Sequence, residues 1–168
     1  MTFTAAGTAM ARVKLVRVTR EHADPLFSVL SDPALYTFTG GEPPRSAAAL
    51  GEWFSLLETG LSPDGSEQWL TWVVQLQECA TPIGYVQATV RGTEAEISWL
   101  IGSRWQGNGY AQEAMTALLE LLGKSPVEEV VAHINPRHKV SQQIARRLAL
   151  QPTGCHADGE ESWRGRIR

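Results

Sequence analysis

The chain has 168 residues, 43% of them hydrophobic, with a net charge of −3, which suits one domain with a substantial core; the expected layout is a flexible lead-in over 1–11 and a single domain over 12–168. Met1 to Ala11 carries neither an apolar h-region nor a basic flank, no later run approaches about 18 apolar residues, and Cys79 and Cys155 lack C-x-x-C spacing. A cytoplasmic protein with no membrane association, no disulfide framework and no metal is expected. Charge is uneven, with nine acidic residues against Arg45 alone between Glu21 and Ala80, a net of −8, while no basic stripe interleaved with aromatics points to nucleic acid.

In chain order, Arg12 to Thr19 alternates and reads as a strand. Glu21 to Leu30 places Ala23, Leu26, Phe27 and Leu30 at helical spacing, and Ser31-Asp32-Pro33 ends it because the residue before proline is pushed away from helical dihedrals. Leu35 to Pro44 is loop by its glycines and prolines. Ser46 to Leu57 resumes a helix with Leu50, Trp53, Phe54 and Leu57 on one face. After a turn-rich connector, Leu61 to Ser66, the segments Gln68 to Gln77 and Pro82 to Arg91 read as strands, antiparallel because their connection is short.

Glu96 then opens a central strand, whose apolar run Ile97 to Ile101 stops at Gly102. The turn Gly107-Asn108-Gly109 feeds a stripe of Ala111, Ala114, Met115, Leu118, Leu119 and Leu122, an amphipathic helix that Gly123 and Pro126 end. Glu128 to Ile134 is a strand reached across a helix, hence parallel to the one at Ile97. Asn135 before Pro136 suits a helix N-cap with proline at the first position, ahead of a stripe holding Ile144 and Leu148. A last hairpin, turning at Asp158-Gly159, closes the sheet.

A strand entering a helix through a glycine turn leaves first-turn N–H groups aimed at the turn, which makes an anion site. Gly102 and Gly107 have the glycine spacing of a Walker A loop, but Asn108-Gly109 stands where Lys-Ser/Thr is required. The third glycine of a dinucleotide fingerprint is replaced by Gln112, and Glu128 and Glu129 precede the next apolar run instead of ending it. Arg104-Trp105-Gln106-Gly107-Asn108-Gly109, with Tyr110-Ala111 and Glu113-Ala114, instead resembles the acetyl-CoA motif of the GCN5-related N-acetyltransferases (GNAT).

That resemblance implies an α/β GNAT fold, a mixed, mostly antiparallel sheet of about six to seven strands flanked by about four helices, and acetyl-CoA as cofactor. It implies that Trp99, Leu100 and Ile101 hold the pantetheine through strand backbone and that Arg104, Trp105, Gln106, Gly107, Asn108, Gly109, Tyr110 and Ala111 cradle the diphosphate. The front section, a strand, a helix ending in Ser-Asp-Pro, an aromatic loop and a second helix, is similar to the ribosomal-protein Rim-type branch. By that analogy Asp32, Tyr36, Phe38 and Trp72 border the acceptor, although Tyr36 and Phe38 equally suit plugs of the core under the loop. Asn135 to Ser141 is similar to the family segment Pro-x-Asn-x-x-Ser, which puts Asn135, His138 and Ser141 beside the coenzyme. The chain departs from the family at His138 (asparagine), Ala145 (a tyrosine proton donor) and Ala149 (a glycine).

Amine attack on a thioester needs a neutral nitrogen, oxyanion stabilisation and a proton for the leaving thiolate. Ser141 is assigned to the sulfur side with His138 second, and Glu96 to the base, with His133 as the alternative. The expected activity is direct acetyl transfer to a primary amine of a small cationic molecule, aminoglycoside-like or polyamine-like, by a monomer or homodimer. An N-terminal amine of a protein is the alternative acceptor, and a non-catalytic acyl-CoA sensor the alternative class.

Overall fold

The computed structural model describes residues 11–167; the lead-in expected over 1–11 lies, but for Ala11, outside the described residues. Seven strands form one sheet: β1 (Val13–Arg17), β2 (Gln68–Leu76), β3 (Pro82–Arg91), β4 (Glu94–Ile101), β5 (Glu129–Ile134), β6 (Gln151–Ala157) and β7 (Glu160–Arg166), in the order β1-β2-β3-β4-β5-β7-β6. All neighbours are antiparallel except β4 and β5, which run parallel because a helix crosses between them. The four helices are α1 (Ala23–Leu30), α2 (Ala47–Glu58), α3 (Tyr110–Leu122) and α4 (Lys139–Arg147).

Period-two alternation sorts the sheet into two packed faces. On one face α1 and α2 bury Leu26, Leu30, Leu50, Phe54 and Leu57 against Val73, with Tyr85 and Leu100 half-buried beside them. On the other, Ala114, Met115, Leu118 and Leu122 of α3 and Ala145 of α4 pack on Val74, Val86, Ala88, Ala95, Ile97 and Val130. Ala111 and Leu119 complete the expected α3 stripe as half-buried edges. Trp163 of β7 is fully buried in the same cluster, under the Arg146 guanidinium 5.1 Å from its ring.

Three local expectations are corrected. β4 begins at Glu94, so Glu96 is its third residue and does not open it. The segment taken as loop from Leu35 starts inside a 3-10 turn, Pro33–Tyr36, capped by Asp32 accepting from the Ala34 N–H at 3.0 Å. Asn135 is not the cap of α4. Its Oδ1 accepts from the Arg137 N–H at 3.0 Å and its carbonyl from the His138 N–H at 2.8 Å, a local turn that uses up Pro136 and Arg137, so the N-cap falls to His138.

α4 ends on Ala149, a non-glycine residue at φ 64°. Its N–H donates to the Arg146 carbonyl and that of Leu150 to Ala145, both at 3.0 Å, which closes the helix with a left-handed cap that ordinarily takes glycine.

Candidate active site

β4 and β5 pair at three positions, Glu94 with Glu129, Ala95 with Val130 and Glu96 with Val131. Beyond them β4 stays on β3 as far as Ile101, opposite Gly84, while β5 stays on β7 as far as Ile134. The two strands therefore part, and the facing backbone edges of Ile97–Ile101 and Ala132–Ile134 have no strand between them among the described residues. One freed carbonyl, that of Ile101, accepts from Gln106 Nε2 at 2.9 Å. Gly84 lets β4 lie this close, since a Cβ there would stand 2.0 Å from the Leu100 carbonyl oxygen.

The gap runs into the glycine turn. Gly107 and Gly109 sit at φ 79° and 82°, and Gly109 is the N-cap of α3, a conformation glycine adopts without steric cost. Asn108 Nδ2 donates to the carbonyls of Trp105 and Gln106, both at 3.1 Å, which fixes the loop. Arg12 clamps the helix start: its N–H and Nε donate to the Glu113 carboxylate at 2.5 and 3.0 Å, and its guanidinium lies 4.7 Å from the Tyr110 ring centre. A Cβ on Gly107 would meet no atom within 4 Å. The α3 N–H groups, the bare turn and the parted strands fit a diphosphate followed by an extended amide chain. Trp99, Leu100 and Ile101 line the gap as strand, and Arg104 to Ala111 form the turn.

At the far lip, His138 and Ser141 come together. Ser141 is buried, and its Oγ lies 3.5 Å from His138 Nε2. Phe38, from the loop after α1, stacks on the His138 ring with centroids 4.7 Å apart and planes 16° apart. Burial pushes the His138 imidazole below its ordinary range, so the ring is neutral at neutral pH. Gln142, also buried, donates to the Pro136 carbonyl at 2.8 Å and holds the preceding turn.

Glu96 marks the last rung before the strands part. Its carboxylate accepts from Arg91 Nη1 at 3.4 Å and lies 4.0 Å from His133 Nε2. Glu160, the first residue of β7, joins this group electrostatically: burial lifts its pKa, His133 opposes that shift, and Glu96 adds to it. Sequence reasoning missed Glu160, because only the pairing of β5 with β7 brings the start of β7 within reach of His133 and Glu96. It also missed Tyr85, paired with Leu100 across β3 and β4, whose phenol burial keeps protonated, with a pKa pushed up to about 12. Strict alternation along β3 was the available signal.

The four residues expected at the acceptor do not converge. Phe38 reaches His138, whereas Tyr36 is half-buried in the α1/α2 core and donates its hydroxyl to the Leu30 carbonyl at 2.7 Å. Asp32 faces Ser103, just beyond the end of β4, and the Ser103 hydroxyl and the Ala34 N–H hold its carboxyl below the usual range. Trp72 is on the opposite sheet face, packed on the α3 cluster with the Arg17 guanidinium 5.1 Å from its ring, because alternation from Val73 sends it there. Instead, a cavity of about 270 Å³ opens between α2 and the sheet, lined by Trp53, Glu67, Trp69, Gln87, Arg91 and Glu96 among others.

Comparison with known proteins agrees with this geometry. The protein YkkB of Bacillus subtilis (strain 168), described as uncharacterized, is 27% identical over 128 residues, 74% of this chain and 73% of its own. RimL, a ribosomal L7/L12 alpha-N-protein acetyltransferase solved with coenzyme A, superposes with a TM-score of 0.78 at 16% identity, covering 94% of this chain and 96% of that one. Spermidine N-acetyltransferase from Vibrio cholerae, solved with CoA and spermine, gives 0.74 at 14% identity over 94% and 97%. At these identities the likeness of the two solved structures is one of fold. The sequence model of the family described as acetyltransferase (GNAT) domain matches residues 12–151, and the chain accordingly belongs to the GNAT family of acetyl-CoA-dependent N-acetyltransferases.

Proposed function

We propose that the acceptor is a primary amine on a small cationic molecule, polyamine-like or aminoglycoside-like, and that its acetylation serves detoxification or antibiotic resistance. The observation that carries this reading is the acidic, aromatic cavity that ends at Glu96, the residue where β4 and β5 part. Carboxylates and indole faces recognise ammonium groups by charge and by cation–π attraction.

When bound, acetyl-CoA supplies the acetyl group and the thiol leaving group. Gly107 to Ala111 and the N–H groups of α3 would hold its diphosphate, and the free backbone edge of Trp99, Leu100 and Ile101 its amide chain. Glu96, directly or through water, takes the proton of the incoming ammonium, and His133 at 4.0 Å is the alternative acceptor for it. Ser141, with neutral His138 behind its hydroxyl, holds a proton on the sulfur side. Asn135 positions the turn that presents both.

A second reading, transfer to the N-terminal amine of a protein, draws on the Rim-like front half and the superposition with RimL. A thiol-release assay with acetyl-CoA across polyamines, aminoglycosides and N-terminal peptides tests the choice. Turnover with the small amines is expected; turnover with peptides alone would overturn the small-molecule reading. Tight acetyl-CoA binding with no turnover on any amine would favour a sensor, in keeping with Ala145 at the position of the family's tyrosine.

A further inference from the structure

We infer that the cavity between α2 and the sheet is a subsite for a second ammonium group, which enters by displacing Arg91 from Glu67. The use of this subsite in choosing acceptors rests on the amine-acceptor reading above. Its existence as a cation site does not.

Two indoles form one corner of the cavity. The Trp53 and Trp69 ring centres are 6.4 Å apart and tilted by 48°, so the faces meet at an angle instead of stacking on each other. Trp53 keeps 45% of its surface open although Leu50, Phe54 and Leu57 of the same helix are buried. An exposed indole set against a second one is a wall for a cation.

Glu67 stands beside that corner. Trp69 Nε1 donates to Glu67 Oε2 at 2.9 Å, which fixes both the carboxylate and the ring, and Arg91 Nε donates to Oε1. Both bonds hold the Glu67 carboxyl below the usual range, so it is ionised at neutral pH. Arg91 also reaches Glu96 at 3.4 Å, and half of its side chain is exposed. One half-exposed guanidinium thus neutralises two carboxylates that line one cavity. Exposed ion pairs of this kind hold weakly, and an ammonium seated on the indoles exchanges with Arg91 at little net cost in charge pairing.

The floor links this subsite to the gap. Gln87 Nε2 donates to Thr71 Oγ1 at 3.2 Å, and Ser98 Oγ donates to Gln87 Oε1 at 3.5 Å. Ser98 is two residues beyond the last β4–β5 rung, so a polar row runs from the cavity to the parted strands. A ligand with two ammonium groups can place one at Glu67 and present the other at Glu96. The class selected is a linear diamine or longer polyamine over a monoamine.

Calorimetry on the coenzyme-free protein, with a series of α,ω-diamines and the monoamines of matching length, tests this directly. Diamines are expected to bind more tightly than monoamines, with the preference falling about tenfold in Glu67→Gln and about three- to tenfold in Trp53→Ala, and rising in Arg91→Gln. Trp53 is exposed, so its loss leaves the fold intact, which a thermal melt verifies. Equal binding of the two series, or a preference indifferent to Trp53→Ala and Glu67→Gln, would overturn the subsite. A diamine preference in a protein that transfers acetyl to no amine would uphold the subsite while refuting the acceptor reading.

Discussion

Phe38 stacks on His138 at 4.7 Å, and that contact joins the loop after α1 to the N-cap of α4. Two segments about a hundred residues apart are brought together at one imidazole, whose Nε2 lies 3.5 Å from the Ser141 hydroxyl. The stack covers one face of the half-buried imidazole, and its Nε2 is the nitrogen that meets the serine.

Removing the serine hydroxyl tests the sulfur-side assignment. Ser141→Ala is expected to lower kcat about 10- to 100-fold with KM for acetyl-CoA little changed. His138→Asn should cost a similar factor, and the double variant little more than either alone, because the two groups act as a unit. Additive losses in steady-state kinetics would show that they act separately.

The pH profile follows from burial of His138. Its folded pKa lies below the usual 6.5, so the unfolded chain takes up a proton first. This group's contribution to stability is constant above about 6.5 and is lost as pH falls from there through the folded value. The acid limb of kcat/KM set by His138 should therefore lie below 6.5, and Phe38→Ala, by admitting water, should move it up. An acid limb unmoved by that substitution would separate His138 protonation from the stack.

Gly107 separates ligand binding from folding. A Cβ there meets no protein atom, so Gly107→Ala costs only the strain of its φ of 79°, about 1 kcal/mol. If the diphosphate lies against this backbone, calorimetry should show acetyl-CoA affinity falling tenfold or more while the melting temperature drops by about 2–4 °C. Unchanged affinity would place the diphosphate elsewhere.

Ala149 offers the opposite experiment. Its φ of 64° at the end of α4 is strained for alanine, and Ala149→Gly should stabilise the protein by about 0.5–1 kcal/mol, read as a rise in the midpoint of urea unfolding. The substitution touches no proposed active-site residue, so turnover should stay level.

The fold was legible in the sequence wherever a period ran long enough to be counted. The α3 stripe, the antiparallel run of β2, β3 and β4, and the crossover to β5 follow from spacing and connection length alone. The glycine turn was legible because positive φ leaves a compositional mark. Acceptor residues were not, since Asp32, Tyr36, Phe38 and Trp72 were chosen for their residue type near one loop, and type does not say which way a side chain points. Val73 under α2 turns Trp72 to the opposite face, and the Leu30 carbonyl fixes Tyr36 in place. Glu67 and Trp53 meet at one cavity with Glu96, and Glu160 nears Glu96 and His133, only through tertiary packing that no local pattern encodes.

The early parting of β4 and β5 also bears on any attempt to raise the heat tolerance of this protein. Zipping the two strands further would satisfy several idle amides and carbonyls and harden the sheet, yet each added rung would fill the slot that a long, thin carrier has to thread. Selection for robustness alone should drift toward a closed seam and an inert protein, so thermostable variants that keep working are best sought at sites such as the α4 cap, away from that seam.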